Sequence, residues 1–140
     1  MDDGSGREEH YVRHAGDASR FSMLHAFACA QDGLAYAMAS QRNFKVHAVF
    51  AALAIIFGFA FQISIPEWLA IVICIMAVLS FELINTAVES AIDLLSPEWE
   101  LLAKRAKDCA AASVYVAALA SIVVAAIIFI PRVLACANIL

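Results

Sequence analysis

The sequence predicts an all-α protein that spans a membrane three times. Of its 140 residues, 64% are hydrophobic, whereas about half of the residues of a small soluble domain are apolar. The mean hydropathy is correspondingly high, at +0.82. Three apolar segments are each long enough to cross about 30 Å of hydrocarbon. The length fits one membrane domain, and a net charge of −4 without a basic stripe argues against a nucleic-acid partner.

The chain before the first apolar segment divides into a tail and a helix. Residues 1–17 are polar and lack the apolar core of a signal peptide, so we expect a disordered cytoplasmic tail. We expect the rest, residues 18–140, to form a single membrane domain. Across residues 18–40, apolar side chains recur at helical spacing, which predicts an amphipathic helix in the membrane interface. The alternative is that this helix stands upright and packs against the other helices as core.

The first two predicted spans, residues 46–65 and 68–95, form a hairpin. The turn between them, SIPEW, is very short, which makes the two helices antiparallel neighbours. Pro66 suits the first turn of the second helix, and Trp68 suits the headgroup region of a membrane.

The third predicted span, residues 109–130, contains no charged residue. In the connection before it, Ser96 can cap a helix whose first residue is Pro97. We expect this helix to continue through Lys107 into the third span.

Lysine and arginine residues predict the orientation of the spans, because cytoplasmic loops carry an excess of both. One side of the predicted membrane carries eight basic residues, and the other side carries only Arg132. We therefore expect a cytoplasmic N-terminus and an external C-terminus. The basic residues on the cytoplasmic side are Arg7, Arg13, Arg20, Arg42, Lys45, Lys104, Arg105 and Lys107.

Four polar residues near the end of the second span share one helix face: Glu82, Asn85, Glu89 and Asp93. At 100° per residue they fall within roughly 80° of one another. A carboxylate at membrane depth costs about 2.5–3.5 kcal/mol on insertion scales, so Glu82 is expected to face a protein interior and to be used there. The alternative is that Glu89 and Asp93 lie beyond the hydrocarbon and only face water.

Carboxylates beside lysine and arginine suit two kinds of chemistry. They can bind a hard cation and bring anionic phosphates to it, or they can carry protons or cations across the membrane. A conduit needs polar groups along the whole depth of the bilayer, whereas polar residues here are concentrated at one end of the spans. This distribution favours chemistry at the interface. The sequence has no P-loop motif, so a nucleotide would be held in another way.

Two segments resemble the signature of the small prokaryotic integral-membrane lipid kinases: ELINTAVESAID (residues 82–93) and AKRAKDCAA (residues 103–111). This family comprises the diacylglycerol kinases and the related Gram-positive undecaprenol kinases. The segments RNFKVH, SIPEW and IFIPR look more like the undecaprenol kinase branch. The resemblance covers roughly residues 21 to 133.

The resemblance implies a homotrimer in the bacterial cytoplasmic membrane, with one surface helix and three membrane helices per subunit and active sites composed between subunits. It implies transfer of the γ-phosphate of Mg-ATP to a lipid hydroxyl, with undecaprenol as the expected acceptor and diacylglycerol as the alternative. The rival from another class is a non-catalytic or ion-handling membrane oligomer.

For catalysis and metal binding, the resemblance implies Glu82 as the catalytic base, Asn85 as a polar contact in the same site and Glu89 as a magnesium ligand. The family places its second magnesium carboxylate where this chain has Gln41. An amide oxygen can bind magnesium but brings no charge, so we expect weaker magnesium binding. The alternative is that Gln41 caps or hydrogen-bonds a helix junction while Asp93 serves the metal.

For the nucleotide, the resemblance implies that Lys107 meets the ATP phosphates and that Asp108 helps to hold ATP, with Asp93 in a supporting role. A second departure from the family is Ser22, where an arginine is frequent, with Arg20 nearby.

Overall fold

The computed structural model describes residues 23–96 and 98–137, and these residues form four helices joined by short connections. The helices are α1 (Met23–Ser40), α2 (Arg42–Ala60), α3 (Ile65–Leu95) and α4 (Leu101–Cys136). Three of them, α2, α3 and α4, are long and apolar enough to cross a membrane. The predicted all-α class and the three predicted spans are confirmed. The predicted tail and the first five residues of the predicted surface helix lie outside the described residues.

The first helix, α1, contacts α2 and α3 but buries only Ala37. Near its start, Met23, Leu24 and Phe27 are exposed. These exposed apolar side chains are open to lipid or to other protein, as is expected of an interfacial amphipathic helix.

The hairpin between α2 and α3 turns earlier in the chain than predicted. The first span was predicted to end at residue 65, but α2 ends at Ala60 and α3 already begins at Ile65. Gln62 has φ 49°, in the left-handed region, and its N–H donates to the carbonyl of Phe59 at 3.2 Å. A left-handed residue cannot continue a right-handed helix, so the chain reverses here although its residues are largely apolar.

The start of α3 is fixed by side-chain hydrogen bonds. The Glu67 carboxylate accepts from the Ser64 backbone N–H at 2.8 Å and from the Ser64 hydroxyl at 2.7 Å. The first of these bonds satisfies a donor that a helix start leaves without an intrahelical partner. Pro66 lies in the first turn, as predicted.

The fourth helix is continuous over 36 residues, which confirms the predicted run through Lys107 into the third span. Its predicted start is wrong. The Ser96 N–H donates to the carbonyl of Ile92 at 2.8 Å, so Ser96 ends α3 instead of capping the next helix. Residues 98–100 are not helical, and α4 begins after Glu100. Pro97 lies outside the described residues.

The two ends of the helix bundle differ in composition. The apolar end, residues 57–71 and 124–132, holds the buried cluster of Ile63, Ile71 and Ile128. Trp68 is half-buried there, where its ring covers Gly58. The polar end, residues 41–47, 82–93 and 101–108, is formed where α2 begins, α3 ends and α4 begins.

Candidate active site

Glu82 lies in the middle of α3 and is 3% exposed. The Nε2 atom of His47, on α2, lies 3.3 Å from Glu82 Oε1. Within residues 23–96 and 98–137, no other side chain pairs with this carboxylate. Buried charges are costly unless they are paired and hydrogen-bonded, and one long contact satisfies Glu82 only in part. Such a group is a candidate for a functional role.

Asn85 follows one turn further along α3 and is also buried. Its Nδ2 donates to Glu89 Oε1 at 3.0 Å, so these two residues share one face of the helix as their spacing predicts. Its Oδ1 is buried and has no hydrogen-bond partner among the described residues. A buried acceptor without a partner is costly, so the Asn85 carbonyl is suited to receive a ligand group or an ion.

Thr86 is the third buried polar residue of α3. Its hydroxyl donates to the backbone carbonyl of Glu82 at 2.9 Å, and the hydroxyl of Ser90 donates to the carbonyl of Thr86 at 2.8 Å. These hydroxyls are satisfied within α3 by backbone carbonyls and do not bind the Glu82 or Glu89 carboxylate.

The polar end offers the type of ligand atoms that a magnesium ion requires. Magnesium prefers hard oxygen ligands, and the Glu89 carboxylate and the unpaired Asn85 oxygen lie one helical turn apart. Across the described residues, however, no three His, Cys, Asp or Glu side chains converge closely enough to hold a metal. A magnesium ion here would therefore take further ligands from phosphate or water.

Gln41 is the single residue between α1 and α2. It occupies the N-cap position of α2, but its side chain makes no capping hydrogen bond. Its backbone N–H donates to the carbonyl of Ala37 at 2.9 Å. The alternative in which the Gln41 side chain caps α2 is therefore not what the structure shows.

The start of α4 brings basic residues to the end of α3. The Lys107 ammonium pairs with the Asp93 carboxylate, which connects the two helices. Lys104 pairs with Asp108 at 2.5 Å, one turn along α4. Asp93 thus has a basic partner although its side chain is 66% exposed. Both acids and both lysines are placed at the polar end.

The structure brings the candidate residues together in pairs and not in one cluster. Four of the six candidates on α3 and α4 pair with another candidate: Asn85 with Glu89, and Asp93 with Lys107. The remaining partners, His47 and Lys104, were missed by sequence reasoning. The spacing of four residues between Lys104 and Asp108 is a helical pair that could have been found. His47 offered a weaker signal, as the one titratable side chain of the first span.

Comparison with known proteins identifies the family. The family described as prokaryotic diacylglycerol kinase matches residues 28–129. The undecaprenol kinase of Bacillus subtilis is 38% identical over 119 residues, which cover 85% of this chain and 95% of the relative. The diacylglycerol kinase of Synechocystis sp. is 38% identical over 119 residues, covering 81% of this chain and 65% of the relative. A diacylglycerol kinase of Helicobacter pylori is 33% identical over 92 residues, covering 65% and 71% respectively.

These matches and the three apolar helices define the class of protein as a multi-pass membrane lipid kinase. The chain belongs to the prokaryotic diacylglycerol kinase family, which confirms the resemblance seen in its sequence. Membership of a kinase family implies ATP as the phosphate donor.

Proposed function

We propose that this chain transfers the γ-phosphate of Mg-ATP to the hydroxyl of a membrane lipid, with undecaprenol as the main acceptor. The observation that carries the proposal is the buried and only partly satisfied Glu82 carboxylate, on the helix that also bears Asn85 and Glu89. The choice of undecaprenol is supported by the Bacillus subtilis relative, which this chain covers almost completely. Diacylglycerol is the alternative, since the Synechocystis relative is equally identical.

In this reaction, Glu82 is the catalytic base. Its carboxylate accepts the proton of the lipid hydroxyl while the hydroxyl oxygen forms a bond to the γ-phosphorus and the bond from that phosphorus to the ADP oxygen breaks. Burial suits this step, because water is excluded and charges interact more strongly in a medium of low dielectric constant. General acid–base catalysis contributes about 10²–10⁴-fold to such reactions.

Metal and phosphate binding fall to residues nearer to the end of α3. Glu89, the Asn85 carbonyl and Gln41 would hold magnesium, which when bound supplies charge neutralisation for the phosphates. The Lys107 ammonium has three donors, so it contacts a phosphate oxygen while Asp93 continues to hold it in a supporting role. Asp108 helps to hold the nucleotide at the first turns of α4.

We infer that the active protein is a homotrimer with sites completed between subunits. This proposal rests on the family resemblance of the sequence. The large exposed apolar side chains of α2, α3 and α4 offer surface for lipid and for neighbouring subunits alike. Mass measurement of the protein in detergent, with three chains expected, is the check.

We infer further that the N-terminus is cytoplasmic, in a bacterial cytoplasmic membrane. Two exposed native cysteines allow a test: Cys29 on α1 and Cys136 at the end of α4. In intact cells an impermeant thiol reagent should modify a variant that keeps only Cys136 and should spare a variant that keeps only Cys29. The opposite labelling pattern would reverse the proposed topology.

The deciding experiment for the function is labelled phosphate transfer from ATP to undecaprenol and to diacylglycerol, compared in the same mixed micelles with purified protein. We expect a higher kcat/KM for undecaprenol. A higher kcat/KM for diacylglycerol would assign diacylglycerol as the substrate. Transfer to neither lipid would favour a non-catalytic or ion-handling oligomer.

A further inference from the structure

We propose that His47 is a positioning residue that orients the Glu82 carboxylate for proton transfer. His47 lies in the second turn of α2, and its Nε2 reaches across to Glu82 Oε1 at 3.3 Å. With Oε1 occupied by the imidazole, Oε2 is left to receive the proton of the lipid hydroxyl. The inference rests on the proposed function, because it assigns a partner to the base named there.

His47 is the side chain available for this task. Thr86 donates to the backbone carbonyl of Glu82 and leaves its carboxylate alone, and the Asn85 amide donates to Glu89. No basic side chain of α1 or α4 pairs with Glu82 in the part of the chain that the structure describes. If His47 is removed, no other side chain among residues 23–96 and 98–137 hydrogen-bonds the Glu82 carboxylate.

The contact suits positioning in either protonation state of the imidazole. A neutral ring with its proton on Nε2 donates to the carboxylate, and a protonated ring adds an ion pair. A separation of 3.3 Å is at the long end for an N–H···O bond, and contacts at catalytic sites frequently tighten when the substrate binds. A base held by a third group is a recurring arrangement in catalysis, because misplacement by about 1 Å can cost 10²-fold in rate.

The surroundings of His47 provide a matched control. His47 lines a cavity of about 260 Å³ between α2, α3 and α4, whose other lining residues are largely apolar. Ser121, on α4, lines the same cavity, but its hydroxyl donates to the carbonyl of Ala117 at 2.8 Å. Ser121→Ala therefore alters the same cavity without touching Glu82, and we expect its turnover to be unchanged.

The test compares three substitutions of His47 in the purified full-length protein. The amide nitrogen of glutamine can take the place of the imidazole Nε2, whereas the amide of asparagine corresponds in reach to Nδ1. We expect His47→Gln to keep kcat, and His47→Asn and His47→Ala to lower it by roughly tenfold to a hundredfold with the KM for ATP unchanged. Equal losses for the glutamine and asparagine variants would overturn the proposal, as would an unchanged kcat in His47→Ala.

A double substitution separates this proposal from the proposed function. If His47 acts through Glu82, adding His47→Ala to Glu82→Gln should cause no further loss of kcat, because the two residues form one unit. Independent and multiplicative losses would overturn the positioning role and leave Glu82 as the base. Full turnover in Glu82→Gln would overturn the role of Glu82 as the base, whereas absence of phosphate transfer to either lipid by the unsubstituted protein would overturn the proposed function itself. Thermal melting of each variant shows whether a loss of kcat is accompanied by unfolding.

Discussion

Glu67 and Glu82 lie on the same helix, α3, and differ in how many donors surround each carboxylate. Glu67 accepts from the backbone N–H and the hydroxyl of Ser64 and pairs with Arg132 at 2.9 Å. Glu82 has one imidazole at 3.3 Å. Yet Glu67 has a side chain that is 27% exposed, whereas that of Glu82 is 4% exposed. The more deeply buried acid is the one with fewer partners.

The difference distinguishes an acid that stabilises the fold from an acid that is available for chemistry. Glu67 caps α3 and forms an ion pair with Arg132 near the end of α4, so its carboxylate is already satisfied by local contacts. Glu82 contributes little to the stability of the fold, because burying a carboxylate with few hydrogen-bond donors is unfavourable. A chain keeps such a group where function requires it, and the predictions on Glu82 and Glu67 below test this inference.

The largest expected effect is on turnover when the same substitution is made at Glu82 and at Glu67. Glu82→Gln should lower turnover by about 10²–10⁴-fold while ATP still binds, because the substitution removes the proton acceptor and keeps the shape. Glu67→Gln is the matched control and should keep its turnover. Both are checked by kcat at saturating ATP and lipid together with ATP-binding measurements. If Glu82→Gln loses ATP binding but keeps its turnover at saturation, Glu82 is not the base.

The second prediction tests whether the apolar end serves stability alone. A Cβ atom added at Gly58 would lie 2.6 Å from the Trp68 ring, which also packs against Phe59 with ring centroids 4.8 Å apart. We expect Gly58→Ala to destabilise the protein by about 1–3 kcal/mol through overpacking, partly offset by better helix propensity, without lowering the kcat of the folded fraction. Gly33→Ala is the control, because nothing lies within 4 Å of its added Cβ. Thermal melting in detergent is the measurement, and an unchanged midpoint for Gly58→Ala would contradict the prediction.

The third prediction concerns the charge of the polar end. Gln41→Glu should lower the half-saturating magnesium concentration by about tenfold, because a charged ligand replaces a neutral one. Gln62→Glu, in the turn at the opposite end, adds the same charge away from the site and should leave the magnesium dependence unchanged. The measurement is a magnesium titration of lipid phosphorylation at fixed ATP for both variants. An unchanged half-point in Gln41→Glu, combined with a large loss in Asp93→Asn, would place the metal at Asp93 instead.

The smallest expected effect is on stability when Glu67 is replaced by alanine. Glu67→Ala removes the acceptor at the start of α3 and the partner of Arg132, so we expect a slightly lower thermal midpoint. Turnover of the folded protein should not change. The test is thermal melting together with kcat measured well below the melting midpoint. A large loss of kcat at that temperature would contradict the view that Glu67 serves only the stability of the fold.

The helices could be predicted from the sequence because length and hydropathy determine a membrane span locally. The shared face of Asn85 and Glu89 followed from helical spacing in the same way. The turn after Ala60 was misplaced because Phe61 and Ile63 are apolar and continue the pattern of the span, although the backbone reverses there. Ser96 resembled a helix start because a cap signal does not tell which of two adjacent helices uses it.

The candidate site could be predicted only where its residues lie on one helix. The roles assigned to Glu82, Glu89 and Lys107 stay predictions that came from resemblance. The contact between His47 and Glu82 joins residues 35 positions apart on two helices, and periodicity along a chain does not reveal which faces meet. The pairing of Asp93 with Lys107 depends in the same way on how α3 and α4 pack.

The continuity of α4 has a consequence for the enzyme in its bilayer. At about 1.5 Å per residue its 36 residues extend roughly 54 Å, well beyond a hydrocarbon thickness of about 30 Å, and no connection separates Lys107 from the span. Helices adjust to bilayer thickness by tilting, so a thicker or thinner membrane would move Lys107 relative to the acids of α3. Turnover is therefore expected to depend on the acyl-chain length of the surrounding lipid, even when that lipid is not a substrate.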